Sequence, residues 1–202
     1  MKLIIENQYF SPICLFSALM GCTHIIFEQY DVHQKMTFRN RCIIAGANGP
    51  IALSIPLEGG RNQKKPGRDL RISQRYNWQD QHWKSIQSSY SKAPWFEYYS
   101  EELESFYRTP YQNLFDWNLD IFKWLILKLE IKILISVTDS YKKNYSKEEY
   151  IDLRNQVLPR NYHLIPGPEY HQVFMDRIGF INNISILDLL LCKGKLAAGC
   201  LK

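Results

Sequence analysis

The residues best suited to chemistry lie in the stretch 75–99, which contains three of the five tryptophans and one of the five histidines. Four of its side chains recur at every fourth position and so share one stripe of a predicted helix: Trp78, His82, Ile86 and Tyr90. Because the pKa of a histidine lies near neutrality, His82 is suited to work as a general base. The stripe is therefore either one wall of a pocket or a core face whose polar tips find buried partners.

A second set of polar residues, Arg39, Asn40 and Arg41, comes directly before a predicted hairpin. Guanidinium groups present forked donors that fit the oxygens of a carboxylate or phosphate. In an extended segment Arg39 and Arg41 project to the same face. The set indicates either an anion-binding site or a solvated strand end.

Basic residues are concentrated between positions 61 and 75. Asp69 is the one acidic residue among six cations, which are Arg61, Lys64, Lys65, Arg68, Arg71 and Arg75. Such a stretch raises the local concentration of anions, or it is a solvated loop. The GxxxxGK[ST] pattern of a P-loop is absent. The net charge of +5 is too small to indicate nucleic acid, so we expect no nucleic-acid partner.

Polar residues also interrupt an apolar helix predicted at 110–129, where Asp116 and Asp120 lie four positions apart and Asn118 lies between them. Two carboxylates on one helix face can bind a cation or a substrate amine, although solvent exposure is the favoured explanation of them. Asp139 and Ser140 follow a predicted buried strand, where ligands of α/β sheets usually bind.

No metal or cofactor site is predicted. The histidines lack HExxH spacing, and the five cysteines are odd in number and lack a CxxC pair. Cys14 lies in an apolar stretch, where a buried thiol is inert. The first apolar run is too short for a signal peptide, and no run approaches the roughly 18 residues of a membrane span. We therefore expect a cytoplasmic protein with no membrane span.

The elements that must position these residues follow from apolar periodicity and turn signals. Strands are predicted at 3–5, 23–27, 42–45, 51–57, 131–137 and 170–174, and helices at 13–20, 77–90, 96–108, 110–129, 146–157 and 186–192. Ser146 with Glu149 and Ser185 with Asp188 have the spacing of helix-capping pairs. The order predicts a single mixed α/β domain over residues 1–202, with a mixed sheet and a central helical layer at about 77–130.

Several short segments together resemble the WbqC-like family of bacterial proteins. They are 7–12 (NQYFSP), 38–41 (FRNR), 77–86 (NWQDQHWKSI), Tyr90 with 93–96 (APWF), the helix around Asn118, and 185–188 (SILD). This chain departs from the resemblance at one place. Many relatives look to carry Trp-Gly-Tyr-Phe after the first Pro, whereas this chain has Ile13-Cys14-Leu15-Phe16 after Pro12. The resemblance implies a setting in surface-polysaccharide (O-antigen) gene clusters and modification of an amino sugar by acyl or aminoacyl transfer.

We thus expect an enzyme that modifies an amino sugar or nucleotide-sugar, with His82 as the catalytic base. The predicted substrate-binding residues are Tyr9, Arg39, Asn40, Arg41, Trp83, Tyr90, Asp116 and Asn118. Aromatic residues would form the walls of the pocket, and the arginines would hold an anionic part of the substrate. The alternative is a non-catalytic protein that binds a glycan or anionic metabolite in the same pocket.

Overall fold

Two sheets and a layer of helices make up the fold, in a computed structural model that describes residues 1–60 and 62–202. In chain order the elements are β1 (Lys2–Glu6), α1 (Ile13–Leu19), β2 (His24–Glu28), β3 (Arg41–Gly46), β4 (Gly49–Ser54), α2 (Trp78–Tyr90), α3 (Phe96–Arg108), α4 (Leu114–Lys128), β5 (Leu134–Val137), β6 (Tyr150–Asp152), α5 (Met175–Ile178), α6 (Ile186–Lys193) and α7 (Ala197–Cys200). Short 3-10 turns lie at Gly67–Asp69, Tyr162–Leu164 and Gly194–Leu196. The predicted α/β class is confirmed, as is the helical layer, which α2, α3 and α4 form.

The larger sheet is parallel, with the strand order β5–β2–β1–β6. Its central strand β1 is apolar and buried on both faces, as is usual where helices and loops cover a parallel sheet. Strands β1 and β2 pair in register, so that Glu6 lies opposite Glu28. All four strands therefore end at one edge of the sheet. We call this edge, which carries Glu6, Glu28, Thr138 and Asp152, the carboxyl edge.

The smaller sheet is the predicted hairpin of β3 and β4, which pair antiparallel. A positive φ of 125° at Gly49, directly after the turn, explains the glycine at that position. The second strand ends at Ser54, earlier than the predicted 57.

The helical layer packs on both sheets through one continuous core. The predicted stripe of α4 is buried throughout, at Leu114, Trp117, Ile121, Phe122, Leu125 and Leu129. Burying each such side chain contributes roughly 1.5–3 kcal/mol. Helix α6 completes this core. Its first residue and the segment before it bond back to the start of the chain, since Ile186 N donates to Ser11 O and Ile13 N donates to Ile184 O.

Two predicted elements are wrong. The segment predicted as a helix at 146–157 contains turns and β6, because Tyr150–Asp152 pairs with β1. The Ser146 hydroxyl accepts from Glu148 N without starting a helix. The strand predicted at 170–174 does not form, since the side chain of Gln172 bonds both backbone groups of Ile181.

The start of α4 differs from the prediction, whereas the start of α6 agrees with it. Helix α4 begins at Leu114, later than predicted, because Asn113 Oδ1 accepts from the amides of Phe115 and Asp116. The cap predicted at Ser185 is confirmed, since its hydroxyl accepts from Leu187 N. Across the described residues, every helix is too short or too polar to cross a lipid bilayer.

Candidate functional site

The carboxyl edge gathers an unusual number of buried polar side chains. None of the following is more than 6% exposed: Glu6, Asn7, Gln8, Glu28, Arg39, Asn118 and Thr138. Because parallel strands end at the same edge, residues far apart in sequence meet there. A buried polar group destabilises a protein unless it is hydrogen-bonded, so each group at this edge has to be accounted for.

Glu28 is held by neighbours from three segments. Its Oε1 accepts from the hydroxyl of Thr138 at 3.0 Å and from the amide of Tyr30 at 2.9 Å. Its Oε2 lies 3.4 Å from Nη1 of Arg154. The guanidinium of Arg154 in turn lies over the ring of Tyr145, 4.9 Å from its centroid. Glu28 is thus a fixed carboxylate at the end of a central strand.

Glu6 occupies the matching position on β1 and is completely buried. Its two oxygens accept from Gln8 Nε2 at 2.9 Å and Asn155 N at 2.8 Å. Burial raises the pKa of Glu6, and the nearby charge of Arg39 acts in the opposite direction. Two carboxyl groups in different electrostatic surroundings therefore lie side by side on one face of the sheet.

Arg39 lies at this edge, buried and paired with protein groups. Its Nη2 donates to Asp31 Oδ2 at 2.7 Å, and its Nη1 donates to Asn155 Oδ1 at 3.0 Å. Asn155 also donates to Asp31, which closes the network. The backbone of Arg39 accepts from Asn118 Nδ2 at 2.7 Å, so two predicted site residues meet here.

A small cavity of about 10 Å³ lies beside these residues. It is lined by Asn7, Glu28, Arg39, Gly67, Leu70, Leu114, Phe115 and Asn118. That volume holds one group of the size of a water molecule. The start of α4 and the 3-10 turn Gly67–Asp69 form its outer wall.

The basic loop reaches the carboxyl edge along the segment 29–33. Lys65 O accepts from His33 N, and the amides of Gly67 and Arg68 donate to the carbonyls of Asp31 and Gln29. Arg68 and the exposed Lys64 and Lys65 therefore border the edge. Arg61, part of the same predicted stretch, lies outside the described residues.

His82 belongs to a separate, aromatic cluster. Its Nδ1 lies 3.1 Å from the hydroxyl of Tyr9, which lies 2.6 Å from the hydroxyl of Tyr107. Burial lowers the pKa of His82 to about 4, and a hydrogen bond with the backbone of Ser54 acts in the opposite direction. The ring is therefore neutral at pH 7 and bonded to protein groups. The side chain that contacts the His82 ring is the hydroxyl of Tyr9 and not a carboxylate.

Trp83 stacks between Tyr107 and Phe96, with centroids 6.0 and 6.1 Å away. It is 4% exposed, and the three cavities described in the structure are lined by residues other than Trp83 and His82. Tyr9 and Tyr107 join these two side chains into one packed cluster.

Tyr90 lies apart from His82, at the end of α2. Its hydroxyl accepts from Ala45 N at 3.1 Å and donates to Asp188 Oδ2 at 2.9 Å. The hydroxyl of Tyr170 donates to the other carboxylate oxygen at 2.6 Å. Burial raises the pKa of Asp188 to about 6, although the two tyrosine hydrogen bonds lower it. Asp188, predicted only as a capping residue, is thus a buried acid between two tyrosines.

The remaining predicted site residues are not brought together. Arg41 turns away from Arg39 and donates to the hydroxyl of Ser54. Asn40 donates to Ile55 O, and Asp116 is exposed on the first turn of α4. The thiol of Cys14 is buried, and its burial raises the pKa to about 12.

Sequence reasoning missed Glu6, Glu28, Asp31 and Arg154 as members of this site. A signal was present for the two glutamates, since each directly ends an apolar strand of the predicted β-α-β unit. Acidic residues at the ends of neighbouring parallel strands must meet at the carboxyl edge.

Comparison with known proteins supplies the last observation on this site. No curated protein and no solved structure matches the chain. The model of the WbqC-like protein family matches residues 7–169. That segment covers most of the chain and contains Asn7, Glu28, Arg39 and Asn118, which line the cavity. The chain therefore belongs to the WbqC-like protein family.

Proposed function

We propose that this protein modifies an amino sugar or nucleotide-sugar, by acyl or aminoacyl transfer, during synthesis of bacterial surface polysaccharide. Family membership and the resemblance described above support the setting. The single observation that supports a location for the substrate site is the group of buried polar side chains around the cavity at the carboxyl edge. We place the substrate there, because ligands of open α/β sheets bind beyond the carboxyl ends of the strands.

The chemistry of this edge suits a sugar. Sugar hydroxyl and amino groups need several fixed donors and acceptors, and Glu28, Asn7 and Asn118 offer oxygens held by other contacts. The apolar lining residues Leu70, Leu114 and Phe115 are buried and keep bulk water away from the group that enters the cavity.

Two basic segments at the same edge support an anionic part of the ligand, such as the phosphates of a nucleotide-sugar. Lys64 and Lys65 are exposed beside the segment 29–33. Lys142 and Lys143 are exposed as well, and their carbonyls accept from Arg154, which bonds Glu28. Cations in two segments at the carboxyl edge, outside the lining of the cavity, raise the local concentration of an anion there.

Transfer to an amine or hydroxyl requires a group that accepts the proton. His82 remains our proposed general base by residue type, because its low pKa keeps the ring neutral and able to accept, but the structure places it in the aromatic cluster and not at the cavity. Glu6 is the second candidate, since it lies at the carboxyl edge and burial raises its pKa. A folded His82→Gln protein that keeps full turnover while Glu6→Gln loses it would transfer the role to Glu6.

The decisive experiment offers the purified protein a panel of nucleotide-sugars, amino sugars and acyl donors. Products are detected by mass, and binding is measured in parallel by thermal shift. We expect a product with an added acyl or aminoacyl group, and a large loss of turnover in Asn118→Ala. Asn182→Ala is the control, because it removes the amide of a half-buried asparagine that lies outside the cavity and also has an unbonded oxygen.

Binding of an anionic metabolite or glycan without any product would favour the alternative, a non-catalytic binding protein. If the protein neither binds nor converts any compound of the panel, the proposal is refuted. We place the activity in the cytoplasm, which is supported by the five cysteines, all of them free.

A further inference from the structure

Two buried amide oxygens in the cavity lack a donor. Asn7 Nδ2 donates to Phe115 O at 2.8 Å, and Asn118 Nδ2 donates to Arg39 O at 2.7 Å. Since only the NH₂ group can donate to a carbonyl, these bonds fix which end of each amide is the oxygen. Neither Asn7 Oδ1 nor Asn118 Oδ1 has a hydrogen-bond partner in the described parts of the chain. Both side chains are at least 95% buried, and both line the cavity.

Two other partnerless amide oxygens have a different environment. The Oδ1 atoms of Asn182 and Asn183 lie against Gly167, so closely that a Cβ at position 167 would collide with them. Both atoms lie beside Gly167, and neither asparagine lines one of the three cavities described above. The oxygens of Asn7 and Asn118, in contrast, border an open volume of about 10 Å³. Leaving two acceptors unbonded at one cavity is unfavourable, so the cavity is built for a donor.

The charges around the cavity favour a positive donor. Within the network that surrounds it, carboxyl groups outnumber guanidinium groups: Glu6, Glu28, Asp31 and Asp152 face Arg39 and Arg154. Glu28 itself lines the cavity. A hydroxyl group carries one donor and no charge, whereas a protonated primary amine carries three donors and a positive charge. An ammonium group also has about the size of a water molecule, which is the size the cavity accepts.

We propose that this cavity receives the protonated primary amino group of the ligand, with Oδ1 of Asn7 and Oδ1 of Asn118 each accepting one of its N–H bonds. This inference rests on the proposed function, which puts the ligand at the carboxyl edge, and it adds the group by which the ligand is recognised. The charge of Glu28 complements the ammonium. A metal ion fits less well, since the described residues offer no group of three or more His, Cys, Asp and Glu side chains placed to hold one.

Access to the cavity is at Gly67. It is partly exposed, whereas the other lining residues are buried. The backbone of Gly67–Asp69 is held in place by Asp31 O and Gln29 O, and Asn113 Nδ2 donates to Arg68 O. The ligand's ring would therefore remain outside, near the basic loop, while its amino group enters past Gly67.

The test uses the smallest probe that carries the group. The unfolding temperature of the full chain is measured in methylammonium chloride and in tetramethylammonium chloride at equal ionic strength. Tetramethylammonium has the same charge but no N–H donor and is too large for the cavity. We expect methylammonium to raise the unfolding temperature above the tetramethylammonium value in the wild-type protein and in Asn182→Ala. Asn118→Ala and Asn7→Ala, each verified as folded by circular dichroism, should lose this difference.

Equal unfolding temperatures in the two wild-type samples would overturn the inference, even if neither variant folds. A larger stabilisation by potassium or calcium chloride than by methylammonium would also overturn it, in favour of a metal site.

A second measurement separates this inference from the proposed function. Isothermal titration compares glucosamine with glucose, and we expect glucosamine to bind about ten-fold tighter or more. Equal binding would leave sugar binding intact and refute amine recognition. A methylammonium effect without binding or turnover of any sugar in the panel would leave amine recognition intact and refute the sugar-modifying function.

Discussion

The hydroxyl of Tyr9 lies 3.1 Å from Nδ1 of His82, and both side chains are almost fully buried. This contact joins the loop after β1 to α2 and satisfies the imidazole from within the protein. The residue that looked most suited to catalysis is thus part of the packing that holds the loop in place. The same loop carries Asn7 into the cavity, two positions before Tyr9.

His82 should make the protein less stable in acid. Burial lowers its pKa from 6.5 to about 4. Between these two pH values the histidine is protonated in the unfolded chain and neutral in the folded protein. The free energy of unfolding therefore falls as the pH decreases from 6.5 to about 4. We expect His82→Gln to remove roughly 3 kcal/mol of this change, as measured by urea unfolding at several pH values. His163→Gln, at an exposed site, is the control, and an unchanged pH slope in folded His82→Gln would contradict the prediction.

Asp188 should have the opposite effect over nearly the same range. Its pKa rises from 3.8 to about 6, so the folded protein keeps a proton that the unfolded chain releases. The free energy of unfolding therefore falls as the pH rises from about 4 to 6. Asp188→Asn should abolish this fall, roughly 3 kcal/mol, while the exposed control Asp176→Asn leaves it unchanged.

The two effects oppose each other in the wild-type protein. Its stability should consequently change little between pH 4 and pH 6 on account of these groups, and each single variant should show a slope of its own sign. Slopes of the same sign in the two variants would refute the assignment of buried, shifted pKa values.

Arg39 offers a test of the carboxyl-edge network. Its planar fork bonds Asp31 and Asn155 at once, a geometry that a lysine ammonium does not reproduce. We expect Arg39→Lys to lower the free energy of unfolding by about 3 kcal/mol. Arg71→Lys is the matched control, since its ion pair with Glu58 is half exposed and should matter by less than about 0.5 kcal/mol. Equal effects of the two substitutions in urea unfolding would show that the buried network is unimportant for stability.

Gly194 ends α6 beneath the ring of Trp95. Its φ is +55°, and a Cβ built there would collide with the indole ring. Gly194→Ala should therefore cost about 3 kcal/mol or more, measured by urea unfolding. At Gly199 a Cβ meets no atom within 4 Å, so Gly199→Ala should be neutral or stabilise by about 0.5 kcal/mol. A Gly194→Ala protein as stable as Gly199→Ala would mean that Trp95 moves aside freely.

Much of the fold could be predicted because its signals are local. The β1–α1–β2 unit and the hairpin follow from short apolar runs and turn residues, and the three long helices follow from a period near 3.6. β6 could not be predicted, because three residues carry too little pattern and their strand depends on pairing with β1. The side-chain bonds of Gln172, which replace a predicted strand, likewise depend on contacts distant in sequence.

The candidate site was predicted less completely than the fold. Arg39 and Asn118 were recognised by residue type, and the structure places both at the cavity. Glu6 and Glu28 become neighbours only through the register of two parallel strands, which no local pattern determines. Asp188 was missed because a capping position explains an acidic residue there, although a carboxyl group within an apolar helix was a signal of a buried partner.

The bonds that α6 and Ile184 before it make back to Ser11 and Ile13 have a consequence for biosynthesis. The segment before α1 leaves the ribosome long before α6 has been translated. The apolar surface that α6 later covers is therefore exposed on the nascent chain during that time. Contacts this distant in sequence also close slowly. We therefore expect the growing polypeptide to need a chaperone until α6 has been made, and we expect a translation product that ends at residue 169, the end of the family match, to aggregate.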